Sequence, residues 1–320
     1  MRRSKINRIL NKVPTHFIII FTMLVWLVPT IGLFVTSLRP LPLINTTGWW
    51  TAFSDKNTQQ TGLSSKFTLN NYVDAIVGYR GTNTYVEDCQ TGSQSSSLNC
   101  NASDLLNPRG MGQAFVNSLI VTIPATILPI FLAAFAGYAF AWLDFKGRFL
   151  LFALLVGLQV VPLQMTLVPV LKMYAKLGMT GTFLGVWLFH TGFGLPYAIY
   201  LMRNFLGGLP KDLFEAAYLD GASHWTTFTN LVIPLSMPAI ASLGIFQFLW
   251  VWNDLLVALV FLGGTKPVMT YQISNMVTSL GAGWHLLTAA AFLSMLLPMI
   301  VFFALQRYFV RGMLAGAIKG

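Results

Sequence analysis

Residues 17–38 read FIIIFTMLVWLVPTIGLFVTSL, an uninterrupted run without Asp, Glu, Lys or Arg. A helix of that length reaches about 33 Å, enough to cross the ~30 Å hydrocarbon core of a bilayer. It follows Arg2, Arg3, Lys5, Arg8 and Lys12, with no small-residue cleavage site behind it, and so reads as a retained span. Working outward, similar intervals lie between Arg109 and Asp144, Arg148 and Lys172, and Lys176 and Arg203. A fifth starts near Pro234 and runs past Trp252 with Asn253 and Asp254 inside it, and a sixth extends from about Leu286 to Leu305. The pattern predicts an all-α polytopic membrane protein with six transmembrane helices.

The composition agrees. Of 320 residues, 55% are hydrophobic and only 9% are charged, against roughly 25% charged in a soluble domain. The mean hydropathy is +0.65. These values exclude a soluble globular enzyme, a disordered chain and a fibrous protein. The net charge of +10 sorts by side. Cytoplasmic segments would hold Arg2, Arg3, Lys5, Arg8, Lys12, Lys146, Arg148, Arg203, Lys211, Arg307, Arg311 and Lys319, whereas the short outside loops hold Lys172, Lys176 and Lys266. Both termini are therefore expected in the cytoplasm of a bacterium, the chain lying in its inner membrane. No basic stripe with interleaved aromatics occurs, and no nucleic-acid partner is expected.

The predicted order is a basic cytoplasmic N-terminus (1–16), span one (17–38), a polar external insertion (39–112), a transmembrane core with spans two to six (113–309) containing a cytoplasmic loop (208–232), and a cytoplasmic tail (310–320). The insertion is rich in Ser, Thr, Asn and Gly and holds the only cysteines, Cys89 and Cys100. Outside the inner membrane such a pair oxidises and closes a small loop; the alternative is two separate thiols. Two sulfurs without a nearby His do not complete a metal site, and none is expected.

The cytoplasmic loop carries the strongest local signal. From Leu209 it reads LPKDLFEAAYLDGAS, ending at Ser223. Pro210 suits a first helical turn, Asp212 and Glu215 favour the positive end of a helix dipole, and Gly221 can close the helix in the left-handed conformation. Leu213, Phe214, Ala217 and Tyr218 form an apolar ridge on a helix too short to be stable alone. That ridge is expected to dock into a groove; the alternative is a loop lying on the membrane surface.

The stretch from Glu215 to Pro234, with Glu215-Ala216-Ala217, then Gly221 after three intervening residues and Leu231-Val232-Ile233-Pro234 after nine more, resembles the EAA loop of ATP-binding-cassette importer permeases. Trp252-Asn253-Asp254 and the ending from Gln306 to Gly320 resemble the carbohydrate-uptake branch, in particular its maltose permease G-type subunit. The resemblance implies a type I importer permease fold that pairs with a second, different permease, two ATPase subunits and an external sugar-binding protein. It implies that Pro210, Phe214, Glu215, Ala216, Ala217, Tyr218, Gly221 and Ala222 form the helix that couples to an ATPase subunit, and that Gly316, Ala317, Lys319 and Gly320 reach the ATPase interface. It further implies that ATP and Mg sit on those partners. The chain itself has no Gly-x4-Gly-Lys-Ser/Thr phosphate loop, and is expected to be no enzyme and to hold no cofactor.

An ionisable group at membrane depth is a functional candidate. Asp254, with Asn253, Gln247, Trp250 and Trp252, is expected to line the translocation path, carboxamides and carboxylate meeting hydroxyls while indoles cover the apolar faces of a sugar; the competing reading is that Asn253 and Asp254 cap a helix end. Gln159 and Gln164 are weaker candidates, since an intramembrane amide often joins helices. Ser274, Asn275 and Trp284 bound a loop that resembles the family's external probe of the binding protein. Ser-Leu-Arg-Pro ending at Pro40 and Gly48-Trp49-Trp50 resemble the alpha-glucoside and glucosylglycerol type, which implies an oligosaccharide or alpha-glucoside such as glucosylglycerol, trehalose or sucrose. The alternative function is an ion-coupled secondary transporter, which asks for broken helices with buried carboxylates. His16, His190 and His224 have no sequence-evident catalytic partners.

Overall fold

A computed structural model describes residues 13–52, 67–79, 85–91, 100–276 and 283–317. The basic segment before Val13, the loop at 277–282, and Lys319 and Gly320 lie outside the described residues. Among the described residues the chain is helical with no strand. It divides into two compact units: residues 1–110 with 275–293, and residues 111–274 with 294–320.

In the first unit, α1 (Val13–Ser37) exposes nearly its whole apolar surface, with Trp26 79% and Phe17 68% accessible. In hydrocarbon that surface is solvated by lipid. Arg39, 1% exposed, closes the end of this span. Its guanidinium donates to the carbonyls of Leu43 (3.1 Å) and Thr47 (3.2 Å) and to the Thr47 hydroxyl, and so covers the last turn of α2 (Leu41–Thr46). Asn71, at the start of α3 (Asn70–Val77), donates its amide to the carbonyls of Ser37 and Arg39, both at 2.8 Å. A cation at a helix C-terminus and an amide across a turn thus tie the insertion to the span.

Gly78 ends α3 at φ +76°, where an added Cβ would lie 2.6 Å from the Arg109 backbone. Here only glycine offers both the conformation and the room. In α4 (Tyr85–Thr91), Cys89 is bonded to Cys100. Asp74 accepts the Tyr85 N–H (2.9 Å), Tyr85 donates its hydroxyl to Asp104 (2.9 Å), and Tyr79 donates to Asp88.

The second unit is built on α5 (Met111–Trp142) and α8 (Phe183–Leu206). A Cβ at Gly137 would meet the Met202 Cβ at 2.7 Å, so the glycine is what allows these two helices their close approach. Against them packs α10 (His224–Trp252), which contains one π turn at Phe228–Val232. Among the described residues four helices are long and apolar enough to cross a bilayer: α1 from Pro14, α5, α10 and the sixth segment, which begins at Trp284. At 24 residues, α8 has the length but not the same apolarity, because His190, Thr191, Gly185, Gly192, Gly194 and Pro196 dilute it.

Two spans differ from expectation. The third is not one crossing helix: α6 (Arg148–Leu158) and α7 (Leu163–Lys176) meet at 97°. Pro162 lacks an N–H and forces Val161 out of the helical region, which ends α6 in the turn Gln159–Val161. The fifth does not run through Asn253 and Asp254. It stops at Trp252, and a new short helix, α11 (Leu256–Phe261), begins behind them. Next come α12 (Met269–Ser274) and the long last helix α13 (Trp284–Ala317).

The insertion carries a pH signature. Burial pushes the Asp74 carboxyl from 3.8 up to about 6, the Tyr85 N–H pulling the other way and Glu87 and Asp88 adding to the rise. The folded state therefore holds the proton more tightly than the unfolded chain. Its stabilising contribution is complete below about pH 4 and is lost as pH rises through about 6. Amide exchange of α3, corrected for intrinsic rates, is predicted to show a higher opening free energy at pH 4 than at pH 7, and Asp74→Asn is predicted to abolish the difference. A wild-type opening energy flat across that window would refute the assignment.

Candidate functional site

The loop between the fourth and fifth intervals forms α9 (Lys211–Leu219), with Pro210 extended ahead of it and Asp212 in its first turn. Its end is a complete Schellman closure. The Ala222 N–H reaches the Ala217 carbonyl (2.9 Å) and the Gly221 N–H reaches that of Tyr218 (3.0 Å), with Gly221 left-handed at φ +79°. Ser223 then caps α10 by accepting the Thr226 N–H at 3.2 Å.

Three contacts hold this short helix. Phe214, 2% exposed, stacks on Trp142 with centroids 3.7 Å apart, and the Trp142 indole donates to the Leu206 carbonyl at 3.0 Å. The Tyr218 hydroxyl meets that of Tyr138 (3.1 Å) and the His224 Nδ1 (3.2 Å). Ala217 lies half-buried between them. The expected apolar ridge divides: Phe214 packs inward on the chain's own helices, Ala217 is half-buried and Tyr218 is held by its hydroxyl, while Leu213 is exposed. The face left to solvent is Asp212, Glu215, Ala216 and Leu219, the last 89% exposed. With Asp220 this outer surface is acidic, apolar at its centre, and small at Ala216. Gly316 and Ala317 fall in the final turn of α13.

The intramembrane candidates separate. Asp254 accepts the N–H groups of Val257 (3.0 Å) and Ala258 (3.2 Å) and so caps α11, while Asn253 bonds back to the Leu249 carbonyl at 2.8 Å. The His190 imidazole, 1% exposed, lies 3.8 Å from the Asp254 carboxylate and edge-on to Trp250 at 5.1 Å. A cavity of about 10 Å³, lined by Ser118, Thr122, His190 and Asp254, adjoins them and has room for one water. Gln247, 4% exposed, donates to the Ala125 carbonyl (3.2 Å), packed against Gly194, and Trp252 is buried with its indole on the Ser294 carbonyl (3.0 Å). These two side chains serve packing. Gln159 and Gln164 are exposed at the break between α6 and α7. Ser274 ends α12, Asn275 follows it and Trp284 opens α13, 48% exposed, with part of their loop outside the described residues.

Sequence reasoning passed over Tyr138, Trp142 and His224 as anchors. The signal available was the four-residue step from Tyr138 to Trp142 at the end of a span, which places both rings on one face. It passed over the nearness of His190 to Asp254, for which no local spacing exists.

Residues 114–315 match the model of the family described as binding-protein-dependent transport system inner membrane components. The chain is 53% identical to the osmoprotective compounds uptake permease protein GgtD of Synechocystis sp., over 97% of this chain and 93% of that one. It is 41% identical to the alpha-glucoside transport system permease protein AglG of Rhizobium meliloti, over 95% and 96% of the two chains. Its fold is similar to a chain in the crystal structure of a bacterial ABC transporter involved in the import of the acidic polysaccharide alginate. That match has a TM-score of 0.63 at 17% identity and covers 94% of this chain and 97% of the other.

Truncating the anchor tests the geometry of the loop. Phe214→Ala is predicted to cost about 3 kcal/mol, so amides of Lys211–Leu219 should exchange on the order of a hundredfold faster. Unchanged exchange would mean that the helix stands without its stack on Trp142.

Proposed function

Because the chain belongs to the family of binding-protein-dependent transport system inner membrane components and is a membrane-spanning ABC importer permease, we propose that it couples to separate ATPase subunits through α9 and carries a small neutral glucoside inward. The carrying observation is the outer face of α9. A nine-residue helix is held rigidly from behind by Phe214 and Tyr218, yet leaves Asp212, Glu215, Ala216 and Leu219 without intramolecular cover. Such a face fits a cleft on another protein: Leu219 fills it, Ala216 permits close approach, and Glu215 meets a cation. Closure of the ATPase pair then moves α9 as a rigid body, and with it α5 and α8, exchanging an outward for an inward cavity.

The nucleotide and its Mg belong, in this reading, to the ATPase partners, since the chain carries no phosphate loop. A second, different permease completes the pathway and an external binding protein delivers the solute. Both termini face the cytoplasm, and the tail from Gly316 and Ala317 on, which in sequence carries Lys319 and Gly320, approaches the ATPase pair. The substrate class follows from two relatives similar along nearly the whole chain, one named for osmoprotective compounds and one for alpha-glucosides. A glucosyl unit on a small polyol or second sugar satisfies both names; glucosylglycerol, trehalose and sucrose are the first solutes to try.

The complex purified from its host, with its binding protein, is expected to hydrolyse ATP faster when one of these glucosides is present. Glu215→Arg is expected to reduce that stimulation at least tenfold while the complex stays assembled. Uptake driven by an ion gradient without ATP would overturn the importer reading. Full stimulation in Glu215→Arg would overturn the role of α9.

A further inference from the structure

The break between α6 and α7 poses a solvation problem. The N–H groups of Gln159, Val160 and Val161 close tight turns, but among the described residues the carbonyls of these three accept no backbone hydrogen bond. Opposite them on α8, Pro196 has no N–H to give to the Gly192 carbonyl four residues earlier. Irregular backbone at membrane depth cannot face lipid; it is either covered by protein or lines a water-filled cavity. The structure has such a cavity here, about 340 Å³, bounded by Gln159, Val161, Gly192, Phe193, Pro196 and Tyr197. That volume is within the range of small-molecule sites.

The lining is chemically mixed in a particular way. Phe193, Pro196 and the Tyr197 ring give flat apolar walls. The Gln159 carboxamide and the Tyr197 hydroxyl make no hydrogen bond within the described chain, and both residues line the pocket together with Gly192 and Val161. An added Cβ at Gly192 would meet no atom within 4 Å, so this glycine keeps the space open. A packed helix interface would close such a gap and satisfy its amide. A pyranose ring fits it as it stands: C–H faces against the aromatic and prolyl walls, equatorial hydroxyls donating to carbonyls and exchanging hydrogen bonds with an amide.

We propose that this cavity is a sugar-ring subsite that the subunit itself contributes to the translocation path, with Tyr197 and Phe193 as the stacking wall and Gln159 as the residue that reads hydroxyl configuration. The proposal rests on the importer reading above and adds a place for the solute. It separates Gln159 from Gln247 and Trp252, whose polar atoms are already engaged within the fold.

The test uses the assembled transporter in proteoliposomes with its binding protein, α-glucosides as probes, and sugar imported per ATP hydrolysed as the readout. Gly192→Leu, whose Cβ would meet no atom within 4 Å, places a branched side chain into the cavity and is expected to lower that ratio at least tenfold. Tyr197→Ala is expected to raise the uptake KM at least fivefold, with Tyr197→Phe closer to wild type. Gln159→Ala, at an exposed break where folding is not at stake, is expected to change the preference between glucosides and galactosides. Wild-type ratio, KM and preference in all the variants would overturn the subsite. Loss of complex assembly in Gly192→Leu, with Gln159→Ala and Tyr197→Ala unchanged in transport, would show a permease interface instead and would equally overturn it. A wild-type complex whose ATP hydrolysis ignores every sugar would strike the importer reading itself.

Discussion

In hydrocarbon a peptide group has no water to turn to, and this one constraint organises the chain. Where α5 and α10 cross, their own ladders satisfy the backbone. Where proline or a change of direction breaks a ladder, the structure supplies a substitute. Asp254 takes the first N–H groups of α11, Arg39 covers the last carbonyls of α2, and Ser223 and Gly221 close the two ends of the turn between α9 and α10. The break at Gln159–Val161 is the exception, with carbonyls left over, which is why it stands out as a place where something other than lipid must be.

The helical architecture was legible in the sequence because its signal is crude and long. Twenty residues without charge cannot be mistaken for a surface, and the end of α9 could be read from Gly221 alone. What escaped were features set by a single proline or by pairing across distance. Pro162 divides the third interval although its hydropathy is continuous. The ridge of Leu213, Phe214, Ala217 and Tyr218 has the right period, but periodicity does not say which body a face meets. The answer lies in Trp142 and Tyr138, some seventy to eighty positions away in the chain.

The site candidates divided along the same line. Asn253 and Asp254 are readable either as path residues, because a carboxylate in an apolar run is expensive, or as helix-end caps; the geometry is that of the second, with Asp254 capping α11 and His190 as its next neighbour. Gln247 and Trp252 were singled out for polar atoms that turn out to be bonded inside the fold. Gln159, the weaker candidate by sequence, is the one whose amide faces open space, because its exposure depends on a bend that hydropathy does not record.

The brevity of α9 has a consequence for biogenesis. Nine residues do not hold a helix in water by themselves, so the loop acquires its shape only after Trp142 at the end of α5 and Leu206 at the end of α8 have come together. On the coupling role proposed for α9, an ATPase subunit that recognised the helix would thereby recognise a permease whose two central spans have already been inserted and packed. Folding of the membrane part would then be written into the docking surface, and chains that stall before that stage would present no shape for the motor to engage.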